Sequence, residues 1–388
     1  MNALYNDNRS NPQVSQKRQR NPKSKIEVEV WKTEAESLLA VGELKHADEL
    51  FCDILKHDKE NLVALRGIAS TAAALGQKSR AVKFANKADK QEAENHCSDA
   101  EKASEDAFYQ EAIECYQKAI RVDADNLDAI WGLAECYASL DDRKMAAEWY
   151  QRYLDIEPGE PEATHMLSAM GAATPPERAS AAYISTLFDR FAPDFDAQLI
   201  GDLEYRTPKI LASIIKGHLP EAKTRLDVLD LGCGTGLSGA AFRNFAKRID
   251  GVDLSGEMLK LARQRRIYKS LTKSDIISHL NRVNRKYDLV IGADVFVYFG
   301  ALNALFSGVQ RILRPEGFLV FSVEANKSSG FELTPSGRYV HGRQYVRKVA
   351  KWGRLIECSV GREIMRQEYG EPVFGDIWVF KAHGGRSG

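Results

Sequence analysis

The chain has 388 residues, with 54 Lys+Arg against 54 Asp+Glu, so its formal net charge is zero. That length predicts two or three domains, and the lack of a basic excess argues against a dedicated nucleic-acid binder. No apolar run approaches the ~18 residues that span a bilayer, no apolar signal core opens the chain, and six scattered cysteines without a CxxC pair suit reduced cytoplasmic thiols rather than a disulfide frame or a metal site.

The zero is a sum of unlike parts. Residues 1–26 carry +5, residues 27–171 carry −14 and residues 172–388 carry +9. Only six of the 28 glycines fall in 27–171. Residues 1–27, rich in Asn, Gln, Ser, Lys and Arg, are too poor in large apolar side chains to offset ordering entropy and read as a disordered basic tail.

From 28 to 160 apolar residues recur at three- and four-residue steps, which predicts helices. Ala47 and Ala81 lie 34 apart, as do Ala112 and Ala146, while Ala81 to Ala112 is 31. An aromatic follows four residues after Ala112 (Tyr116) and after Ala146 (Tyr150). A small residue lets antiparallel helices approach, and the aromatic fills the groove to the next pair. This spacing resembles the tetratricopeptide repeat, in four units at 28–61, 62–93, 94–126 and 127–160. Such a stack offers a concave surface for a protein or peptide, and its acidity favours a basic partner, either another molecule or the basic C-terminal part of this chain. Residues 161–180, with GAATPP at 171–176, read as a linker.

From 181 the pattern changes. DVLDLGCGTGLSG (227–239) predicts strand, tight turn and helix, and RIDGVDLS (248–255) a second strand followed by helix. YDLVIGADVFVYF (287–299) and GFLVFSVE (317–324) predict further buried strands separated by a helix, and 355–363 with 373–382 a closing antiparallel hairpin. Strands alternating with helices imply a doubly wound, mostly parallel sheet that binds ligands at its carboxyl edge. Gly232, Gly234 and Gly236 let backbone pass close to a ligand, and Asp253, ending the second strand, is placed to take both hydroxyls of a ribose. Leu237 stands where a dinucleotide fingerprint needs Gly or Ala, and no Gly-Lys-Ser/Thr is present. Asp230, two residues before the first glycine, suits a positively charged ligand with an amino group better than a pyrophosphate. Together these features point to S-adenosylmethionine and disfavour a nicotinamide-dependent oxidoreductase.

VLDLGCGTG and GVDLS resemble the first two motifs of class I S-adenosylmethionine-dependent methyltransferases. FDRFAPDFDAQLIGDLEYRTP (188–208), ADVFVYFG (293–300), FSVE (321–324) and GRYVHGRQYV (337–346) resemble bacterial members that carry N-terminal tetratricopeptide repeats. The resemblance implies a seven-stranded Rossmann-like domain over 181–388. It implies that Asp253 holds the ribose, that the three glycines line the amino-acid portion and sugar, and that Leu254 or Met258 packs on the adenine. Asp275 would then meet the adenine amino group, although Ser-Asp before an apolar run also suits a helix cap. Asp294 to Val295 would pass beneath the methionine end.

A sulfonium donor carries its own electrophilic methyl, so alignment of the acceptor dominates catalysis. No NPPY- or DPPY-type segment follows the fourth strand, which lowers the expectation of an adenine or glutamine-amide acceptor. Tyr298, Glu324, Arg338, Tyr339 and His341 follow strand ends and are the candidate acceptor-site residues. His341, which titrates near neutrality, is the expected base. Glu324 would orient it or bind an amine, and Arg338 would hold a carboxylate or phosphate. Phe191 and Tyr205 would form a lid. The acceptor is left open between a small molecule and a protein. The competing reading is a repeat-based scaffold whose methyltransferase fold only binds cofactor.

Overall fold

A computed structural model describes residues 22–219, 225–327, 329–368 and 371–384. The tail expected over 1–27 lies outside the described residues as far as residue 21, and from Pro22 the chain is helical. Contacts divide the chain into two compact units, one ending at Pro158 and the other beginning at Gly159.

The first unit comprises α1 (Pro22–Ala40), α2 (Leu44–His57), α3 (Leu62–Ala74), α4 (Lys78–Glu105), α5 (Tyr109–Val122), α6 (Leu127–Ser139) and α7 (Arg143–Ile156). Helix pairs turn at residues in the left-handed region: Gly42, Gly76, Ala107 and Asp141. These lie 34, 31 and 34 apart, the same intervals as Ala47, Ala81, Ala112 and Ala146. The starts of α3 and α6 are capped alike, Asn61 and Asn126 accepting from the N–H of Ala64 and Ala129 at 3.1 and 2.9 Å.

One expectation fails. The boundary between the second and third units, placed at 93/94, falls inside the 28-residue helix α4. Elsewhere a short turn ending in Asn61 or Asn126 separates units, but the sequence between Ala85 and Glu105 holds no Gly, Pro or working cap to break the helix. The 31-residue interval is the mark of that missing turn. Packing also identifies a position that the alanine spacing did not: Phe51 and Tyr116 lie against Gly67 and Gly132, where a Cβ would come within 2.4 and 2.1 Å of the rings. Ala112, Ile113, Tyr116, Ala129 and Leu133 form one core with Ala93, Cys97 and Ala100 of the fused helix.

The second unit opens with α8 (Pro161–Ala169), where a linker was expected. Pro161 sits in the first turn and the Glu160 carboxylate accepts from the Ala163 N–H at 2.6 Å, so the segment starts a helix despite its two prolines downstream. Then come α9 (Ala181–Phe191), a short irregular helical stretch over 195–202, and α10 (Thr207–Lys216). The α/β core follows as β1 (Leu226–Leu231), α11 (Leu237–Phe242), β2 (Ala246–Asp253), α12 (Gly256–Gln264), β3 (Ser270–Lys273), α13 (Ile276–Arg282), β4 (Tyr287–Gly292), α14 (Asn303–Ile312), β5 (Leu313–Asn326), β6 (Phe331–Leu333), β7 (Tyr339–Gly342), α15 (Arg343–Trp352), β8 (Leu355–Glu368) and β9 (Glu371–Ala382).

The central sheet runs β3-β2-β1-β4-β5, all parallel, and β9 adds antiparallel to β5 with β8 outside it. That accounts for the seven expected strands. Two more, β6 and β7, form a hairpin on the far end of β5, where Glu324–Asn326 pairs with Val340–Gly342. Continuous apolar runs in β1, β4 and β5 reflect burial on both faces. The strand expected through 299 stops at Gly292 because Asp294 adopts a left-handed φ of 52° and its N–H turns to the Ser322 hydroxyl at 2.8 Å.

Gly132→Ala should lower stability by about 1–3 kcal/mol, because the added methyl meets the Tyr116 ring and not a void. Urea denaturation of the full chain monitors this; an unchanged midpoint would show that the ring is free to move aside.

Candidate active site

The carboxyl edge of β1, β2 and β4 opens on a cavity roofed by residues 178–205. Its floor is the turn after β1. Gly232, Gly234 and Gly236 all have positive φ, at 63°, 50° and 94°. A Cβ at Gly232 would lie 2.4 Å from the Val295 side chain, so only glycine lets this turn close on the turn after β4. A Cβ at Gly234 would meet nothing within 4 Å, because that residue faces the cavity.

Asp253, at the end of β2, lines the cavity with its carboxylate already oriented. One oxygen accepts from the Gly234 N–H and the other from the Ser255 N–H, both at 2.8 Å. Each oxygen keeps a lone pair for a ligand hydroxyl. Leu254 lines the cavity beside it, whereas Met258 is fully buried in the core beneath α12 and does not. Asp275 lines the cavity too, and it is also the helix cap: one oxygen accepts from the Ser278 N–H at 2.9 Å and the other pairs with Arg178 at 2.7 Å.

Asp230 stands behind the glycine turn and is not among the lining residues. It is fully buried, accepts from the Tyr268 hydroxyl at 2.7 Å, and leaves Oδ1 without a partner among the described residues. Burial lifts its pKa to about 7, with the Asp253 charge acting in the same direction. Burial likewise raises Asp253 and Asp294. Asp294 does pass beneath the cavity; its oxygens accept from the hydroxyls of Ser322 and Thr207 at 2.8 and 3.1 Å.

The far end of the cavity differs from expectation. Tyr298 and Arg338 line it, but His341 does not. The alternation of β7 turns His341 into the core, fully buried, with Nε2–H donating to the Gly300 carbonyl at 3.3 Å and its ring stacked on Tyr345. Burial lowers its pKa to about 4, so it is a neutral core residue and not a base facing an acceptor. Glu324 orients no histidine: it stands behind the cavity wall and accepts from Arg338 and Arg366 at 2.8 and 2.5 Å. Tyr339 is buried, its hydroxyl donating to the Pro176 carbonyl at 2.6 Å.

The roof comes from α9 and the segment after it. Phe188, Phe195 and Tyr205 face the cavity, while Phe191 is a core residue. Two aspartates fasten this roof: Asp189 accepts from the Glu257 N–H at 3.1 Å, and Asp196 accepts from the Thr235 hydroxyl and pairs with Arg265. Arg178, Phe188, Phe195 and Arg366 escaped the sequence reading. Of these, the two phenylalanines were signalled by the aromatic spacing of FDRFAPDF; Arg366 had no local signal, since it lies between the two expected hairpin strands, 355–363 and 373–382.

With this geometry in place, residues 228–317 match the model of a methyltransferase domain and residues 109–170 that of a tetratricopeptide repeat. The chain carries a methyltransferase domain together with tetratricopeptide repeats. Over 172 residues it is 29% identical to the malonyl-[acyl-carrier protein] O-methyltransferase of Yersinia pestis, covering 44% of this chain and 61% of that one. Over 107 residues it is 36% identical to the enzyme of the same name from Priestia megaterium, covering 26% and 37%. The chain thus spans less than two thirds of the length of these curated relatives. A solved S-adenosylmethionine-dependent methyltransferase from Clostridium acetobutylicum aligns over 51% of this chain and 99% of its own, at 20% identity and a TM-score of 0.39. Among the described residues of the methyltransferase domain and the repeats, no helix is long and apolar enough to cross a membrane.

Because Asp230 keeps its proton in the folded state where the unfolded chain has lost it, its contribution to stability falls as pH rises from about 4 to about 7. Asp230→Asn mimics the protonated form. Its stability relative to the parent chain should therefore increase between pH 5 and pH 7.5, by on the order of 1–3 kcal/mol. Urea titrations at the two pH values decide this, and a difference that does not change with pH would refute it.

Proposed function

We propose that the chain is a methyltransferase that binds S-adenosylmethionine and transfers its methyl group to a small-molecule or protein acceptor. The observation that carries this reading is the Asp253 carboxylate, held by two backbone N–H groups at the edge of a three-glycine turn that is open at Gly234. The donor set fits the donor molecule. Asp253 takes the ribose hydroxyls, and Leu254 with Ile276 gives an apolar wall for the base. Asp275 and Arg178 close that end, while the turn backbone and the Asp230 carboxylate behind it favour an amino-acid portion bearing a positive amine. Asp294 places negative charge near the sulfonium end. When bound, the donor supplies an activated methyl group; the chain's part is to orient donor and acceptor and to exclude water.

The relatives are named O-methyltransferases, which favours an oxygen acceptor. The repeats, acidic by 14 charges over residues 27–171, recruit the substrate or a basic protein partner. A cytoplasmic location suits the six thiols, which are free among the described residues.

Calorimetry with S-adenosylmethionine should give a dissociation constant well below millimolar, and failure to bind would remove the reading. Asp253→Ala should weaken binding by about 10–100-fold, the loss of charge-assisted hydrogen bonds to the ribose; an unchanged affinity would reassign Asp253 to a structural role.

A further inference from the structure

Asp230 is fully buried, with Oδ2 engaged and Oδ1 without a partner among the described residues. The residue that engages it is Tyr268, which no sequence motif marks. Tyr268 lies between α12 and β3, and the next residue anchors that segment: the Lys269 N–H donates to the Ile249 carbonyl at 2.7 Å. The Tyr268 hydroxyl donates to Asp230 Oδ2 at 2.7 Å and accepts from the Gly239 N–H, in the first turn of α11, at 3.2 Å. Burial, with Asp230 beside it, pushes the phenol well above its ordinary range, so it keeps the proton it donates. The direction of the chain is therefore fixed, from backbone N–H to phenol and from phenol to carboxylate, and each link strengthens the next.

The ring of Tyr268 fills the space that three glycines leave. A Cβ at Gly236, Gly239 or Gly251 would lie 3.0, 2.4 or 3.0 Å from an atom of Tyr268. Those glycines belong to the turn after β1, to α11 and to β2, and Gly251 is the residue paired with Asp230 across the two strands. One side chain thus packs against the turn, the helix that follows it and the neighbouring strand, while its hydroxyl reaches the acid beneath them.

The other groups around Asp230 do not replace this donor. Cys233 in the turn and Tyr205 in the roof are raised by burial and stay protonated, and Asp294 acts on Tyr205 from the turn after β4. Burial holds a proton on Asp230, and the charge of Asp253 at the end of β2 adds to that effect. Against them, the Tyr268 hydroxyl is the largest influence that favours the carboxylate, followed by the Gly239 N–H.

We propose that Tyr268 is a positioning residue for methyl-donor binding: its hydroxyl holds Asp230 as a carboxylate behind the glycine turn and leaves the charge on Oδ1 for the positive amine of the donor. This rests on the methyl-transfer reading above, which puts the amine at this end of the cavity. Tyr268 itself touches no ligand and is not among the residues lining the cavity. It acts through Asp230.

Tyr268→Phe keeps the ring against the three glycines and removes the hydroxyl alone. Calorimetry on the full chain compares S-adenosylhomocysteine, which carries the amine, with 5′-methylthioadenosine, which has the same nucleoside and no amine. A hydrogen bond to a charged group moves ionisation by about one pH unit, so Tyr268→Phe should weaken S-adenosylhomocysteine at least about threefold at pH 7 and about twofold or less at pH 8.5. Affinity for 5′-methylthioadenosine should be unchanged at both. Equal loss of the two ligands, or a loss of S-adenosylhomocysteine that does not shrink with rising pH, would reduce Tyr268 to a packing role. No loss of either would remove it from the donor site. In an Asp230→Asn background, where no carboxylate remains to be held, Tyr268→Phe should cost less than about twofold; a loss as large as in the parent chain would overturn the assignment. Failure of the parent chain to bind either ligand would instead remove the methyl-donor reading itself.

Discussion

The site depends on one close approach. Backbone at Gly232 passes so near the Val295 side chain that no other residue fits. This contact fixes the turn after β1 against the turn after β4, and the parallel register that sets Asp230 opposite both Gly251 and Ile291 brings the ends of β2 and β4 to the same level. Asp253 and Asp294 therefore flank one cavity, each carboxylate held by a donor from a neighbouring element, the Gly234 N–H and the Ser322 hydroxyl. The roof is secured to this floor by Asp189 and Asp196, and its far end is tied to β8 where the Arg206 N–H meets the Met365 carbonyl at 3.1 Å.

A β-bulge on β8, where Ile364 pairs with Phe374 and Arg366 with Val373 so that Met365 is the extra residue, has two duties. It turns Arg366 inward, and the carbonyl of its extra residue receives the chain that closes the roof. The buried group of Arg338, Arg366, Glu324 and Glu368, in which each arginine pairs with both glutamates, contributes little net stability against the desolvation of four charges. Its retention makes better sense as a means of fixing where a guanidinium points, since shared carboxylate oxygens hold both side chains in one arrangement.

Sequence carried the parts of the site that backbone chemistry dictates. Three glycines behind an acid, and an acid after the second strand, locate the donor end, because close approach and positive φ admit few residues. The acceptor end was much less legible. His341 looked like a base because its residue type titrates near neutrality, but its burial is decided by how β7 packs, which no local pattern reveals. Arg366 was hidden for the complementary reason: a bulge breaks the alternation by which a strand is recognised. β3 is four residues of mixed polarity and left no period to read. In the repeats, the spacing of alanines marked every helix–turn–helix pair, and its one irregular interval held information that only the continuous helix α4 explains.

That continuous helix changes how the repeat array comes apart. In a stack of separate units, each junction is a turn that can fray, so the array melts piecewise and tolerates being cut between repeats. Here α4 contributes one half to the second unit and the other half to the third, with buried Ala88 and Ala93 along its length. The two middle units share a spine, and neither can unfold without shortening the helix that supports the other. The array is mechanically three pieces rather than four, with its stiffest segment at its centre.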